Sequence, residues 1–370
     1  MRRITALLLS LVLTAGVLAA CGQEQPEVVE TTAPTETVQE PATESTEEAG
    51  EPRDYYLAED YLANPDLFVP AWQGQWEVPE AMLDWEEKFQ SFYTPDGRTM
   101  SIAHRGDRNV YYPENSIEGF LSAIYAGADI VEVDVIKTKD GIPIVFHDED
   151  LLRTTNLTLM RLDGEAGHLP TSNKVADWTL AEIRELRLVM ETGELTNYVV
   201  PTLEDLLMVA KDRVFVTLDK FRRIDWNLDI VPVIEKVGCY ETVLIPYTYS
   251  RDLGFTTTGF YMKRLENAGA RDVGMTCIVT ADTIAQVAAD IIANDFPMAM
   301  RCGEYKPGDP AYAAIYLPYA GQYRMFFETL ERKNDNATVW AEMDDYGFNV
   351  IMCNTNIYDL TRFIADRYFS

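Results

Sequence analysis

Two acidic residues alternate with valines in one short apolar segment, and this pattern is the most chemically informative part of the sequence. Glu132 and Asp134 stand between Val131, Val133 and Val135. Because side chains alternate across a strand, the two carboxylates share one face and the valines share the other. At roughly 3.3 Å per residue the two acids lie about 6.6 Å apart, so they can converge on one hard divalent cation. Neutralisation by buried arginine or lysine is the alternative.

Histidine is rare in this chain, and its placement is selective. Of three histidines, His104 and His147 each end a strand-like apolar run. Imidazoles titrate near neutral pH, so two of them can act as base and acid across a phosphodiester. A lone histidine at a strand end is more often structural, but two such histidines beside paired acids favour catalysis.

An arginine follows the first of these histidines directly. Gly106 comes next and permits a tight turn, so that Arg105 and His104 can face one ligand. Arginine suits bidentate binding of a phosphate group. Alternatively, Arg105 pairs with a neighbouring acid such as Asp107.

The elements that must position these residues form a repeated β-α pattern from residue 98 onward, which predicts a parallel sheet. Eight strands are predicted, at residues 100–104, 130–135, 213–219, 242–247, 273–279, 297–301, 337–342 and 349–353. Eight units between residues 98 and 370 match the roughly 250 residues of a (β/α)8 TIM barrel. In such barrels the C-terminal ends of the strands line the catalytic mouth.

Helices are predicted between the strands. Residues 117–125 carry apolar side chains at helical spacing, and Thr179 with Glu182 and Thr202 with Asp205 form capping-box patterns. An apolar arm at 142–146 follows the second strand. Residues 156–177 are rich in turn formers and are predicted to form a loop insertion near the catalytic face.

The N-terminal residues have a different character. Residues 1–20 are predicted to be a signal peptide, with Arg2 and Arg3 before an uncharged apolar run. The run ends in Leu18-Ala19-Ala20-Cys21, which resembles the lipobox of bacterial lipoproteins. That resemblance implies acylation of Cys21 and an extracytoplasmic protein anchored to the cell membrane. An ordinary cleaved signal followed by a chance cysteine is the alternative.

Two further segments precede the barrel. Residues 21–52 begin with the lipidated cysteine and contain nine glutamates and no lysine or arginine, so a disordered acidic tether is expected. Residues 53–97 are rich in aromatic side chains and are predicted to form an N-terminal extension packed on the barrel at 98–370.

Charge and cysteine content limit the possible partners. The formal net charge of −29 argues against nucleic acid as a partner. The remaining cysteines show no metal-binding spacing and are predicted to be buried, although export would permit disulfides. They are Cys239, Cys277, Cys302 and Cys353.

Five short blocks in a fixed order resemble the signature of the glycerophosphodiester phosphodiesterase family, within the phospholipase-C-like phosphodiesterase superfamily. The blocks are His104-Arg105-Gly106, Pro113-Glu114-Asn115-Ser116, Glu132-Val133-Asp134-Val135, Thr138-Lys139-Asp140-Gly141, and His147-Asp148 with Arg153-Thr154-Thr155. Pro201-Thr202-Leu203-Glu204 resembles a further block. The predicted strands extend the likeness over residues 98–370.

The resemblance implies a (β/α)8 barrel that holds one Ca²⁺ or Mg²⁺ ion and cleaves small glycerophosphodiesters to an alcohol and glycerol 3-phosphate. The implied roles are acid and base for His104 and His147, phosphate binding for Arg105, metal ligation for Glu132 and Asp134, and shaping of the substrate site for Glu114 and Asn115.

The resemblance fades after residue 205. The family carries Glu-x-Lys near its third strand, whereas this chain has Leu218-Asp219-Lys220. We therefore expect Asp219 to be the third metal ligand and Lys220 to bind substrate. A regular strand is expected to turn Asp219 out of the mouth, so a bulge or the strand's end would be needed to bring it inward. Alternatively, Asp219 pairs with Arg222 or Arg223.

A second departure lies near the eighth strand. Where the family often has Thr-Asp-x-Pro, this chain has Cys353-Asn354-Thr355-Asn356, which predicts a different leaving-group pocket. Two other functions are compatible with the pattern. One is a phosphodiesterase that acts on an intact lysophospholipid or phosphoinositide, and the other is a catalytically silent surface-binding protein.

Overall fold

The computed structural model describes residues 53–108, 111–222, 224–247, 274–294, 298–355 and 357–370. The strands are β1 (Met100–His104), β2 (Ile130–Lys137), β3 (Pro143–Val145), β4 (Phe215–Arg222), β5 (Val243–Tyr247), β6 (Met275–Ile278), β7 (Met298–Glu304), β8 (Arg324–Thr329) and β9 (Val350–Cys353). The helices are α1 (Ala58–Ala63), α2 (Glu80–Leu83), α3 (Trp85–Phe92), α4 (Ile117–Tyr125), α5 (Leu157–Leu162), α6 (Leu180–Ile183), α7 (Leu203–Ala210), α8 (Val231–Val237), α9 (Ile284–Asn294), α10 (Pro310–Tyr316), α11 (Ala337–Asp345) and α12 (Ile357–Tyr368).

Eight of these strands close into a parallel barrel. β1 is hydrogen-bonded to β2 on one side and to β9 on the other, and the ring continues from β2 through β4, β5, β6, β7 and β8. β3 pairs with β2 in antiparallel orientation and corresponds to the predicted apolar arm. The predicted (β/α)8 barrel is therefore confirmed.

One predicted strand is wrong. Residues 337–342 begin helix α11, and the seventh barrel strand is Arg324–Thr329 instead. The β-branched and aromatic side chains in this segment suggested a strand, but Asn336 accepts hydrogen bonds from the amides of Thr338 and Val339 and starts a helix. The other seven predicted strands overlap observed ones. Residues 273 and 297, where two of the predictions begin, lie outside the described residues.

The segment at 156–177 is more ordered than the sequence suggested. It contains helix α5 (Leu157–Leu162) and short 3₁₀ turns, and it packs a separate apolar cluster around Trp178. Both predicted capping boxes are present, at the starts of α6 and α7. All four cysteines of the barrel region are buried, as predicted.

The N-terminal extension closes the N-terminal end of the barrel. From helix α3, Phe89 and Phe92 join the apolar cluster inside the barrel, and the Phe92 ring lies 5.0 Å from that of Phe215. Gly274 allows this approach, because a Cβ there would lie 2.6 Å from a methyl carbon of Leu244 and 2.7 Å from the Phe92 ring. With that end plugged, the C-terminal ends of the strands form the accessible mouth. The signal peptide, the lipidated cysteine and the acidic tether predicted for residues 1–52 lie outside the described residues.

Candidate active site

The mouth of the barrel brings together residues from β1 and β2 that the sequence selected. His104 ends β1 and lies in register with Glu132 of β2. Val131 and Val133 pack against the surrounding helices, whereas Ile130 belongs to the cluster inside the barrel. The period-two pattern therefore turns Glu132 into the barrel, as expected.

Glu132 is a buried carboxylate whose two oxygens have no hydrogen-bond partner within the described part of the chain. Its side chain is 1% exposed, and its Oε2 lies 3.7 Å from Nε2 of His104. Burial, with further repulsion from Asp134 and Asp219, raises the pKa of Glu132 well above its usual value. A buried acid with two unsatisfied oxygens is a suitable anchor for a hard cation, which prefers carboxylate ligands.

Asp134 is partly neutralised by the protein itself. Its Oδ2 lies 3.1 Å from Nε of Arg105 and accepts a hydrogen bond of 3.1 Å from Nδ2 of Asn115. Among the described residues, the alternative of arginine pairing therefore applies to Asp134, whereas Glu132 forms no salt bridge with an arginine or lysine. Arg105 does not pair with Asp107, which accepts a hydrogen bond from Ser122.

Asp219 faces the barrel interior without a bulge, so the expected orientation of this strand is corrected. Asp219 lies in register with Asp134, and the register shift between β2 and β4 comes only after that pair. Leu218 is paired with Val133 and packs in the outer core, because neighbouring residues of a parallel sheet share a face. Arg223 lies outside the described residues, and so do the side chains of Lys220 and Arg222.

Asp219 pairs with an arginine from a distant strand. Nη2 of Arg301, on β7, lies 3.0 Å from Oδ2 of Asp219 and 2.6 Å from Oε1 of Glu328. Within the described part of the chain, no group of three or more histidine, cysteine, aspartate or glutamate side chains forms a ready metal site. A cation at Glu132 would therefore compete with Arg105 and Arg301 for the neighbouring acids.

Arg105 is held in an unusual backbone conformation. Its φ is 63° and that of Gly106 is 83°, and both values lie in the left-handed region. Gly106 is required here, because a Cβ would lie 2.9 Å from the backbone carbon of Gly119. A non-glycine residue in this region is strained, and such strain is concentrated at functional sites.

Glu114 gathers three arginines beside the mouth. Its carboxylate accepts hydrogen bonds from Arg105 and Arg108 at 3.1 Å and from Arg153 at 2.6 Å. Burial alone would raise the pKa of Glu114, but these guanidinium groups lower it below its usual value. The cluster provides the local positive charge that an acidic protein needs to bind a phosphate.

The tautomer of His104 is set by Asn354. The amide Nδ2 of Asn354 donates to the carbonyl of Leu330, and its Oδ1 accepts from Arg108, so the amide orientation is determined. His104 Nδ1 lies 2.8 Å from that Oδ1 and therefore carries the proton, which leaves Nε2 as an acceptor. Burial, with repulsion from Arg105 and then Arg108, lowers the pKa of His104 to about 3.

His147 has an acidic partner instead. Its Nδ1 lies 2.5 Å from Oδ1 of Asp148, whose other oxygen accepts a hydrogen bond of 2.5 Å from Nε of Arg153. Arg153 also binds Glu114, so a continuous set of polar contacts connects His147 to Arg105. A carboxylate on Nδ1 orients the ring and stabilises its protonated form.

Sequence reasoning missed some polar residues of the mouth. These are Arg108, Arg301 and Glu328, and Asn354 was noted only as a departure from the family pattern. Arg301 ends a predicted strand, so its position carried a usable signal. Glu328 lies on the strand that was not predicted.

Residues 104–235 match the glycerophosphoryl diester phosphodiesterase family. A glycerophosphodiester phosphodiesterase of Caldanaerobacter subterraneus subsp. tengcongensis is 40% identical over 121 residues, which cover 32% of this chain and 43% of that protein. One from Bacillus altitudinis is 36% identical over 119 residues, which cover 31% of this chain and 41% of the relative. The chain thus matches less than half the length of these curated relatives.

Solved structures share the fold. The crystal structure of a glycerophosphoryl diester phosphodiesterase from Parabacteroides distasonis gives a TM-score of 0.59 at 20% identity and covers 78% of this chain and 92% of that one. A related structure from Silicibacter pomeroyi gives 0.52 at 18% identity, with 76% and 97% covered. The matched segment at 104–235 contains His104 on β1, Glu132 on β2, and His147, which follows the antiparallel strand β3.

Proposed function

We propose that this chain is a metal-dependent phosphoric diester hydrolase that cleaves glycerophosphodiesters to an alcohol and glycerol 3-phosphate. The observation that carries the proposal is the buried Glu132 carboxylate, which lies 3.7 Å from His104 at the barrel mouth and accepts no hydrogen bond from any described residue. The family match over residues 104–235 supports the same chemistry.

The two histidines have complementary environments for acid–base catalysis. Nε2 of His104 accepts the proton of the glycerol hydroxyl next to the phosphate, and that oxygen attacks phosphorus. The bond from phosphorus to the leaving alcohol breaks, and protonated His147 donates its Nε2 proton to the departing oxygen. A cyclic phosphate results. Water then opens it with the two proton transfers reversed, which regenerates both histidines.

Charge on the phosphoryl oxygens is stabilised by Arg105, which Glu114 and the contact with Asp134 hold at the mouth. Glu132 and Asp134 would hold a divalent cation, with Asp219 as the third candidate ligand. When bound, the cation supplies Lewis-acid stabilisation of the phosphoryl group. Glu114 and Asn115 position Arg105 and Asp134, and Lys220 remains a candidate for substrate binding.

The proposal is tested with protein lacking residues 1–21. It is incubated with a panel of glycerophosphodiesters and lysophospholipids, with and without chelator, while glycerol 3-phosphate is measured. Release from glycerophosphodiesters that is lost with chelator is expected. Turnover of intact lysophospholipids alone would favour the lipid-directed alternative, and no turnover at any metal concentration would favour a silent binding protein.

Asp219→Asn is expected to raise the metal concentration for half-maximal activity at least about tenfold, since affinity for a hard cation rises with the number of anionic oxygens. Lys220→Ala should lower turnover instead. Activity titrated with Ca²⁺ or Mg²⁺ measures both effects, and Asp282→Asn, at an exposed acid, is the control. An unchanged metal requirement in Asp219→Asn would show that other groups hold the ion.

We further propose that the protein is an extracytoplasmic lipoprotein. None of the helices in the described residues is long and apolar enough to cross a membrane. Cys21→Ser is expected to move the protein from membranes to the soluble fraction, because the acyl chains would be lost. Cell fractionation measures this, with Cys239→Ser at a buried cysteine as the control. Equal membrane association of Cys21→Ser and wild type would exclude lipidation at Cys21 as the anchor.

A further inference from the structure

A second cavity lies between the N-terminal extension, helix α4 and residues 197–198. Its volume is about 280 Å³, and its wall contains six aromatic side chains and two carboxylates, Asp54 and Glu118. Val69 and Tyr56 at its rim are 61% and 50% exposed, so solutes can reach it. The volume lies just below the about 300–1,000 Å³ typical of pockets for drug-sized ligands, so a small ligand fits best.

Five rings of the wall form a continuous arc. In order, they are Tyr56, Tyr61, Phe68, Tyr112 and Tyr198. Successive ring centroids lie 5.7, 6.1, 5.8 and 6.3 Å apart. Neighbouring ring planes are inclined to one another by 36° to 85°. Aromatic faces carry negative quadrupole density and attract cations that have lost part of their hydration.

A buried acid lies within this arc. Glu118 is 3% exposed, and its Oε1 accepts a hydrogen bond of 2.5 Å from the hydroxyl of Tyr61. Burial raises its pKa to about 7, and no lysine or arginine in the described part of the chain is among the groups that shift it. Burial and then the charge of Glu118 raise the pKa of Tyr198, which places that ring near the carboxylate. The described lining residues therefore include no lysine or arginine beside Glu118, and a cationic ligand would supply the missing positive charge.

At the rim of the cavity, a cation of the protein is already bound by an aromatic ring and a carboxylate. The guanidinium of Arg187 lies 5.0 Å from the ring centroid of Tyr55 and forms a salt bridge of 2.6 Å with Asp54. One cation is thus held by an aromatic face and a carboxylate together. Deeper in the cavity, the arc and Glu118 repeat that combination without a protein cation among the described lining residues.

We propose that this cavity binds a small organic cation, with an alkylammonium group, such as trimethylammonium, against the aromatic arc and Glu118. The proposal goes beyond the phosphodiesterase function and does not depend on it. The cavity uses residues of the N-terminal extension and none of the side chains that form the barrel mouth.

Binding is tested by calorimetric titration of the His104→Ala protein, so that catalytic activity plays no part. Choline is the probe, and 3,3-dimethylbutan-1-ol is its neutral isostere. Choline is expected to bind at least about tenfold more tightly, because only the cation interacts with ring quadrupoles and carboxylate. Equal binding of the two compounds, or no binding of choline up to high millimolar concentration, would overturn the proposal.

Variants locate the site. Glu118→Gln is expected to weaken choline binding at least about tenfold, whereas Glu59→Gln, at an exposed acid of helix α1, should leave it unchanged. Tyr198→Leu, at a partly exposed ring, provides a second measurement if Glu118→Gln does not fold. Unchanged affinity in the folded variants would contradict the assignment.

A competition experiment distinguishes a lipid head group from a free organic cation as the source of the ammonium group. Phosphatidylcholine vesicles are added as competitor at matched head-group concentration, with phosphatidylglycerol vesicles as reference. Displacement of choline by phosphatidylcholine alone supports a lipid head group as the ligand. Choline binding that neither vesicle affects supports a free cation. Equal displacement by both vesicle types would contradict recognition of an ammonium group.

Discussion

His104→Ala is expected to lower kcat at least about a hundredfold while the fold persists, as for the loss of a general base. The side chain is 12% exposed and lies at the end of β1, so its removal leaves the apolar core intact. Asn354 keeps its contacts with Leu330 and Arg108, so the mouth should retain its shape. Steady-state hydrolysis of a glycerophosphodiester at saturating metal measures the effect.

His147→Ala should lower kcat by a similar factor, because the leaving alcohol would depart without a proton. The double variant should be little worse than either single variant, since groups that act in one step are not additive. His168→Ala is the matched control, because that imidazole is 60% exposed and pairs with Glu185. Near-normal turnover of either single variant, with fold verified by circular dichroism, would contradict the pairing of acid and base.

Glu132→Gln is expected to abolish most activity and yet stabilise the metal-free protein. Activity should fall at least about a hundredfold, because the amide removes the anionic anchor of the cation. In chelator at pH 8, Tm should rise by at least about 2 °C, since the amide neither carries a buried charge nor has to take up a proton on folding. Differential scanning calorimetry measures the second effect.

The pH dependence follows from the raised pKa of Glu132. Between the unfolded and the folded pKa, the folded state binds a proton that the unfolded state has released. The stability of wild type in chelator therefore falls as pH rises through this interval. Glu132→Gln has no such titrating group, so its stability lacks this contribution to the pH dependence. The difference in Tm between the two proteins should be smallest in acid and largest at high pH.

Metal binding provides the converse test. Ca²⁺ or Mg²⁺ should raise the Tm of wild type, because a ligand of the folded state stabilises it, but not that of Glu132→Gln. Glu204→Gln, which removes a surface pair with Lys236, is the control and should respond as wild type does. Equal stabilisation of Glu132→Gln and wild type would place the ion elsewhere.

Local patterns in the sequence predicted much of the mouth. The alternation around Glu132 and Asp134 determines which face the acids share, and His104-Arg105-Gly106 determines a turn that only glycine permits. Each of these inferences depends on a few consecutive residues and on the geometry of one strand. The capping boxes and the apolar stripe of helix α4 were predictable for the same reason.

The seventh barrel strand, β8, shows where such patterns fail. β8 begins with Arg324 and contains Glu328. In the sequence of this segment alone, such charged residues argue against a buried strand. In the fold, Arg324 is 2% exposed, and its guanidinium donates hydrogen bonds to the carbonyls of Arg98 and Asn349, which compensate for its burial. Those acceptors come from other segments, so nothing near β8 in the sequence indicates that the charge is satisfied.

The sequence by itself determined the types of the candidate catalytic groups and the faces on which they lie, because side-chain alternation and turn geometry are local. Only the tertiary structure decided which groups neutralise one another. Closure of the barrel brings Arg301 to Asp219 and leaves Glu132 without a hydrogen-bond partner among the described residues. Packing of the N-terminal extension likewise places Tyr61 on Glu118, 57 positions away. Such pairings depend on strand register and on packing between distant segments, which residue spacing along the chain does not encode.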